Sequence, residues 1–236
     1  MLSAEIKKEI LLHAKEEYPR ESCGVLIVFK GRLSYEKCLN IAETPDEHFV
    51  IDPKDYLKAE QKGSIVGVVH SHPVTEARLS PADKVACERS NLPWYVVNPQ
   101  TEEWGEGKPS GFQLPYIGRE FVHGVVDCYS LWKDWYKREL KIDMNEYERR
   151  DQWWEKGLNL YLDNYKNEGM REIPLSEIDY GDIILIHLRS LVPNHAAIYI
   201  GNSLILHHVQ GRLSSRDIYG GYYQKNTAKI LRHESR

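Results

Sequence analysis

A run of chain breakers near the middle of this sequence constrains its fold more than any other feature. Pro99, Gly105, Gly107, Pro109, Gly111 and Pro115 follow one another closely. Proline removes a backbone donor and fixes φ, and glycine is costly to order, so no regular element passes through such a stretch intact. A chain of 236 residues suits one large domain or two small ones. The breakers favour two, over residues 1–112 and 113–236. A 42% apolar content is enough to give each half a core.

The first half reads as a helix followed by strands. Ile6, Ile10, Leu11 and Ala14 share one face of an amphipathic stretch over residues 1–18. Strands are expected over residues 25–29, 35–41, 65–70 and 94–98, with a short helix over 53–62. In the second half, helical periodicity runs over 128–140 and 145–166. Strands follow over 182–187, 195–200 and 203–208. Helices followed by antiparallel strands indicate an α+β domain.

Charge and hydropathy exclude some roles. The net charge is −4 with both signs interspersed, so no nucleic-acid partner is expected. No apolar run approaches the ~20 residues of a membrane span, so membrane insertion is not expected. The N-terminal stretch lacks the continuous apolar segment of a signal peptide. The expectation is therefore a protein made in the cytoplasm. Cys23, Cys38, Cys87 and Cys128 are too few and too scattered for a disulfide framework.

Two residue sets carry chemistry. In the first, His70 and His72 stand one residue apart at the end of an expected strand, and Asp83 follows Ser80 and Pro81 at an expected helix start. Residues i and i+2 of a strand share a face, so both imidazoles can reach one ion. Two histidines and one carboxylate leave a fourth position open, as catalytic zinc requires. Without a metal, Asp83 reads as an ordinary helix-start acid. Glu21, just before a strand, is placed where a base could face the ion. In the second set, Cys128 opens a helix, where amides and macrodipole favour a thiolate. His195 begins one strand and His207 ends the next, where cross-strand neighbours can touch. Nucleophile, base and orienting group make up a hydrolytic set.

With those residues in view, the first half resembles the JAB/MPN (JAMM) metalloproteases. The resemblance rests on Glu21-Ser22-Cys23-Gly24, His70-x-His72-Pro73 and Ser80-x-x-Asp83. It implies an α/β zinc-peptidase fold in which His70, His72 and Asp83 bind Zn2+. It also implies Glu21 as general base and Ser80 as a donor to the oxyanion. Cys23 reads as buried rather than as a further ligand.

The second half is similar to the NlpC/P60 cysteine peptidases, which implies a papain-like α+β fold with a small antiparallel sheet. The similarity implies Cys128 as nucleophile, His195 as base, His207 as its orienting partner and Tyr116 as an oxyanion donor. The run Asp127-Cys128-Tyr129-Ser130-Leu131 lacks the glycine that many members carry after the cysteine. His208 is a rival to His207, but alternation is expected to turn it to the opposite face. His123 and His187 read as surface or structural. Trp132, Trp135, Trp153 and Trp154 read as packing residues rather than a sugar platform.

The order of the two halves resembles tail assembly proteins of long-tailed, lambda-like phages. That resemblance implies a tail-tip peptidase with peptidoglycan peptide as substrate and tail-tip proteins as partners. Its location would be the virion tail tip, or the host cytoplasm during assembly. The alternative is an assembly factor whose hydrolase sites process a structural protein. A cytoplasmic isopeptidase acting on a ubiquitin-like tag is a third reading, disfavoured by the attached thiol site.

Overall fold

The computed structural model describes residues 2–236. Met1, part of the amphipathic stretch read above, lies outside them. The chain forms two compact units, Met1–Gln113 and Leu114–Arg236. Among the described residues, no helix is long and apolar enough to cross a membrane.

The first unit is built on a five-stranded sheet in the order β2-β1-β3-β4-β5, where β1 is Cys23–Phe29, β2 Arg32–Cys38, β3 Ser64–Ser71, β4 Trp94–Val97 and β5 Trp104–Gly107. The β3–β4 pair is parallel and the other pairs are antiparallel. Helix α1 (Ala4–Glu17) lays Ile6, Ile10 and Ala14 against Leu26, Tyr35, Val69 and Val97 on one sheet face. On the opposite face Cys23, Val25 and Ile27 pack with Ala59 of α2 (Pro53–Lys62). Helix α3 (Pro81–Ser90) crosses from β3 to β4, the helical connection that a parallel pair requires. Gly24 is required here, because a Cβ on it would fall 2.4 Å from the Glu36 carbonyl oxygen.

The second unit pairs helices with a six-stranded antiparallel sheet ordered β10-β9-β8-β7-β11-β6. Its strands are β6 (Met170–Ile173), β7 (Ile183–Ile186), β8 (His195–Tyr199), β9 (Leu204–His207), β10 (Ser215–Ile218) and β11 (Thr227–His233). Helix α4 (Cys128–Trp135) continues into a π-helical turn over Tyr136–Leu140. Its Leu131, Trp132 and Trp135 share one core cluster with Ala196 and Ile198 of β8, Leu206 of β9 and Ile183 and Leu185 of β7. The alternate residues Ile184 and Ile186 are buried on the other sheet face, which is why β7 reads as one continuous apolar run.

The long helix expected over 145–166 does not form. The segment holds a 3-10 turn at Trp153–Glu155 and a short helix, α5, at Leu160–Asn164. The Glu168 carboxylate takes the Asn145 amide at 3.0 Å and its side chain at 2.7 Å, and also holds the Tyr147 hydroxyl. Arg149 turns inward to a buried carboxylate. These tertiary bonds outweigh helical periodicity. Strands β5, β6, β10 and β11 and the one-turn helix α6 (Gly221–Lys225) have no counterpart in the sequence expectations.

Candidate metal and thiol centres

The first centre forms where β3 ends. His70 is the penultimate residue of β3, and the His72 amide extends the ladder by donating to the Val97 carbonyl at 2.9 Å. The i, i+2 spacing brings both rings together, with their Nε2 atoms 3.1 Å apart. Asp83 Oδ2 lies 3.4 Å from His70 Nε2 and 3.3 Å from His72 Nε2. Three ligands around a tetrahedral zinc at 2.0–2.1 Å are separated by about 3.3 Å, and this triangle has that size.

The ring orientations suit a metal as well. His72 Nδ1 sits 2.9 Å from the Glu76 carbonyl oxygen, which places the proton on Nδ1 and leaves the Nε2 lone pair free. His70 is fully buried, with Phe49 stacked on its ring at 4.8 Å between centroids. Its Nδ1 has no hydrogen-bond partner among the described residues.

Ser80 and Asp83 form a capping box at the start of α3. The Asp83 amide donates to Ser80 Oγ at 3.1 Å and the Ser80 amide to Asp83 Oδ2 at 2.8 Å. The Asp83 carboxyl is held well below the carboxylate range. Burial opposes this, and the adjacent His70 and His72 with the Ser80 bond outweigh it. Ser80 accepts through its oxygen, so its hydroxyl proton remains available to donate.

Glu21 lies just before β1 and is buried; burial pushes its carboxyl up to about 8, with His72 opposing and Asp83 reinforcing the shift. Its position is set by Asn40, a buried side chain that donates to the carbonyls of Glu21 and His48 and accepts from the amides of Ala42 and Val50. Cys23 is buried opposite Cys38, its thiol directed at the Cys38 carbonyl at 3.6 Å.

The second centre lies at the start of α4. Asp127 caps the helix by accepting from the Ser130 amide at 2.8 Å. It also forms a buried ion pair with Arg149 at 2.8 Å. Cys128 follows as the first helical residue, with its sulfur 3.2 Å from the Tyr161 hydroxyl. Cys128, Asp127, His195 and Tyr161 share the wall of a cavity of about 660 Å³, with Trp153, Trp154 and Arg189 among the other lining residues.

His195 Nε2 lies 3.1 Å from His207 Nδ1. The register makes them diagonal neighbours on one face, since His207 sits opposite Ala197, two residues after His195. His207 Nε2 in turn faces Asp217 Oδ2 at 3.1 Å. Burial lowers both imidazoles below the ordinary value, and the proximity of His207 and His208 depresses His195 further.

Three expectations need correction. Burial first, and then the Asp127 charge, push the Cys128 thiol up to about 11, against the net lowering expected at a helix start. Tyr116 is not in the cavity wall. Its hydroxyl donates to Glu139 at 2.8 Å, and the Arg138 guanidinium covers its ring at 4.1 Å. The hydroxyl at the thiol belongs to Tyr161, which the sequence reading missed inside a supposed long helix. His208 does not turn away: it follows the end of β9, where strict alternation no longer applies, and lines the same cavity as Cys128. His123 also lines that cavity, its Nε2 3.1 Å from the Arg150 carbonyl oxygen.

Comparison with known proteins agrees with a chain of two domains. The Prok-JAB family, prokaryotic homologs of the JAB domain, matches residues 3–107, and the NlpC/P60 family matches residues 104–232. Tail tip assembly protein K of Escherichia phage N15 is 37% identical over 235 residues, covering 95% of this chain and 93% of that protein. The chain belongs to the tail tip assembly protein K family of lambda-like phages. The phage lambda protein of the same name is 42% identical over 187 residues, 78% of this chain and 90% of its own length. A JAB1/MPN domain protein from Archaeoglobus fulgidus is 23% identical over 47% of this chain and 90% of that one, with a TM-score of 0.31.

Proposed function

We propose that this tail tip assembly protein is a double hydrolase whose thiol centre cuts peptidoglycan stem peptides and whose metal centre is a zinc-dependent (iso)peptidase. The observation that carries the thiol reading is that Cys128 and His195 line one cavity while His195 leans on His207. Cys128 attacks the scissile carbonyl carbon and its proton passes to His195. His195 then protonates the departing amine, and water hydrolyses the thioester. His207 holds the His195 ring throughout. A thiol pushed up to about 11 beside a depressed imidazole makes the resting pair neutral, so the proton moves during attack. The Cys128 amide and the Tyr161 hydroxyl, 3.2 Å from the sulfur, are the donors this reading assigns to charge developing at the reacting centre.

In the first unit, His70, His72 and Asp83 would hold Zn2+, which when bound polarises a carbonyl and acidifies water. Glu21, buried just before β1, would exchange a proton with that water. Ser80 keeps a hydroxyl proton to offer the oxyanion. Peptidoglycan peptide and tail-tip proteins are the partners of this reading, and its place is the tail tip or the host cytoplasm during assembly.

The test is mass spectrometry of soluble fragments released from purified Gram-negative sacculi. Release by the wild type and not by Cys128→Ala is expected, with fragment masses giving the bond. Equal release by both proteins sinks the wall-peptidase reading. The assembly role in the family name favours a second reading, in which the two sites process a structural tail protein. Under that reading, tail polypeptides made with Glu21→Ala or Cys128→Ala keep an unprocessed mass.

A further inference from the structure

The His195–His207 pair does not end the chain of polar contacts in the second unit. His207 closes β9 opposite Ser215 of β10, and Asp217 lies two residues further along the same face. Diagonal neighbours of this kind are within reach of long polar side chains. The Asp217 carboxylate lies 3.1 Å from His207 Nε2 through Oδ2. The same oxygen takes the Tyr223 hydroxyl at 3.1 Å and lies 3.2 Å from Arg212 Nη1. The Tyr223 ring stands edge-on to His207, 5.0 Å between centroids. The charged and titratable groups around His207 are therefore His195, Asp217, Arg212 and Tyr223. Those around His195 are His207, His208 and Asp127, with Cys128 in the shared cavity wall.

We propose that Asp217 is a positioning residue that fixes the proton order of the His207–His195 pair, leaving Nδ1 of His195 unprotonated as the base for Cys128. This rests on the reading of Cys128 as nucleophile and His195 as base. The reasoning is one of donors and acceptors. A neutral imidazole carries one N–H. An ionised carboxylate only accepts, so the Asp217 charge 3.1 Å away favours the hydrogen on Nε2 of His207, although that hydrogen is not aligned for a hydrogen bond. Nδ1 of His207 is then an acceptor, and His195 Nε2 must donate across the 3.1 Å contact. The lone pair of His195 is left on Nδ1. Both rings are buried, which favours the neutral forms this order needs. When His195 takes the thiol proton, the imidazolium is stabilised through His207 by the Asp217 charge. No proton need leave His207.

Two measurements on the full-length protein test this. Long-range nitrogen–proton NMR spectra of histidine-labelled protein report which ring nitrogen is protonated. In the wild type, His195 is expected as the Nε2–H form, and in Asp217→Ala as a mixture or as the Nδ1–H form. The second measurement is iodoacetamide labelling of Cys128 followed by peptide mass spectrometry. Asp217→Ala should slow labelling at neutral pH by about tenfold, because the base that removes the thiol proton is misoriented. The deficit should shrink towards pH 10, where hydroxide forms the thiolate without His195. A deficit of equal size at every pH, or an Nδ1–H tautomer in the wild type, overturns the proposal. Labelling that responds to His195→Ala but not to Asp217→Ala removes Asp217 alone. Labelling indifferent to His195→Ala removes the thiol-centre reading itself.

Discussion

The Tyr161 hydroxyl meets the Cys128 sulfur at 3.2 Å, inside an aromatic cluster with Trp132 and Trp153. A donor at this position stabilises a thiolate that burial otherwise disfavours. Tyr161→Phe removes the donor and leaves the ring in its packing. A hydrogen bond to a charged group contributes about 1.5–3 kcal/mol, so Cys128 labelling near neutral pH should slow by roughly tenfold or more. The thermal midpoint should scarcely change. Unchanged labelling with an unchanged midpoint would show that the hydroxyl serves only packing.

Metal content follows from the triangle at the end of β3. The wild type should bind about one Zn2+ per chain, read by elemental analysis after dialysis. His70→Ala, His72→Ala or Asp83→Ala each removes one of three protein ligands and should abolish stoichiometric binding. Cys128 labelling should continue in all three variants, because the thiol lies in the other unit. Retention of zinc by all three variants would rule the site out.

The ion pair beside Cys128 is buried, so losing one partner is costly. Asp127 and Arg149 have side chains only 3% and 5% exposed. Arg149→Met leaves a buried carboxylate without its partner, a change that costs about 3–5 kcal/mol. Urea unfolding followed by tryptophan fluorescence should show the loss as a lower midpoint for this unit. A shift below about 1 kcal/mol would mean that water reaches Asp127 and screens it.

Acid should destabilise the second unit before the carboxylates titrate. His195, His207 and His208 all have lowered pKa values, with burial as the main cause, and His208 falls to about 4. Unfolded histidines titrate near 6.5, so below that pH the unfolded chain binds protons the folded one refuses. Stability from these groups is therefore full above about pH 6.5 and is lost as pH falls towards 4. Urea midpoints at pH 7.5 and pH 5 give the comparison. A midpoint that rises on acidification contradicts the assignment of neutral buried histidines.

Much of both centres was legible because the ligands lie in short, patterned segments. The His70-x-His72 spacing and the Ser80-Pro81 helix start carry their own geometry, and the triangle forms as that spacing implies. Cys128 at a helix start and His207 across a tight turn from His195 are local in the same sense. The 145–166 segment was misread because its aromatics follow helical spacing while Glu168 and Asp127 draw its polar groups into tertiary bonds. Strands β6, β10 and β11 alternate weakly, and their pairing comes from neighbours distant in sequence.

The sequence by itself determined the breaker run between the halves and the patterned segments that carry His70, His72, Asp83, Cys128 and His195, because periodicity and motif spacing are local properties of a chain. Only the tertiary structure decided which hydroxyl meets the sulfur, which carboxylate stands behind His207, and that the thiol at a helix start is raised rather than lowered. Tyr161 and Asp217 reach the centre from separate elements. Burial and the neighbouring Asp127 charge, which set the thiol's protonation, exist only once those elements have packed.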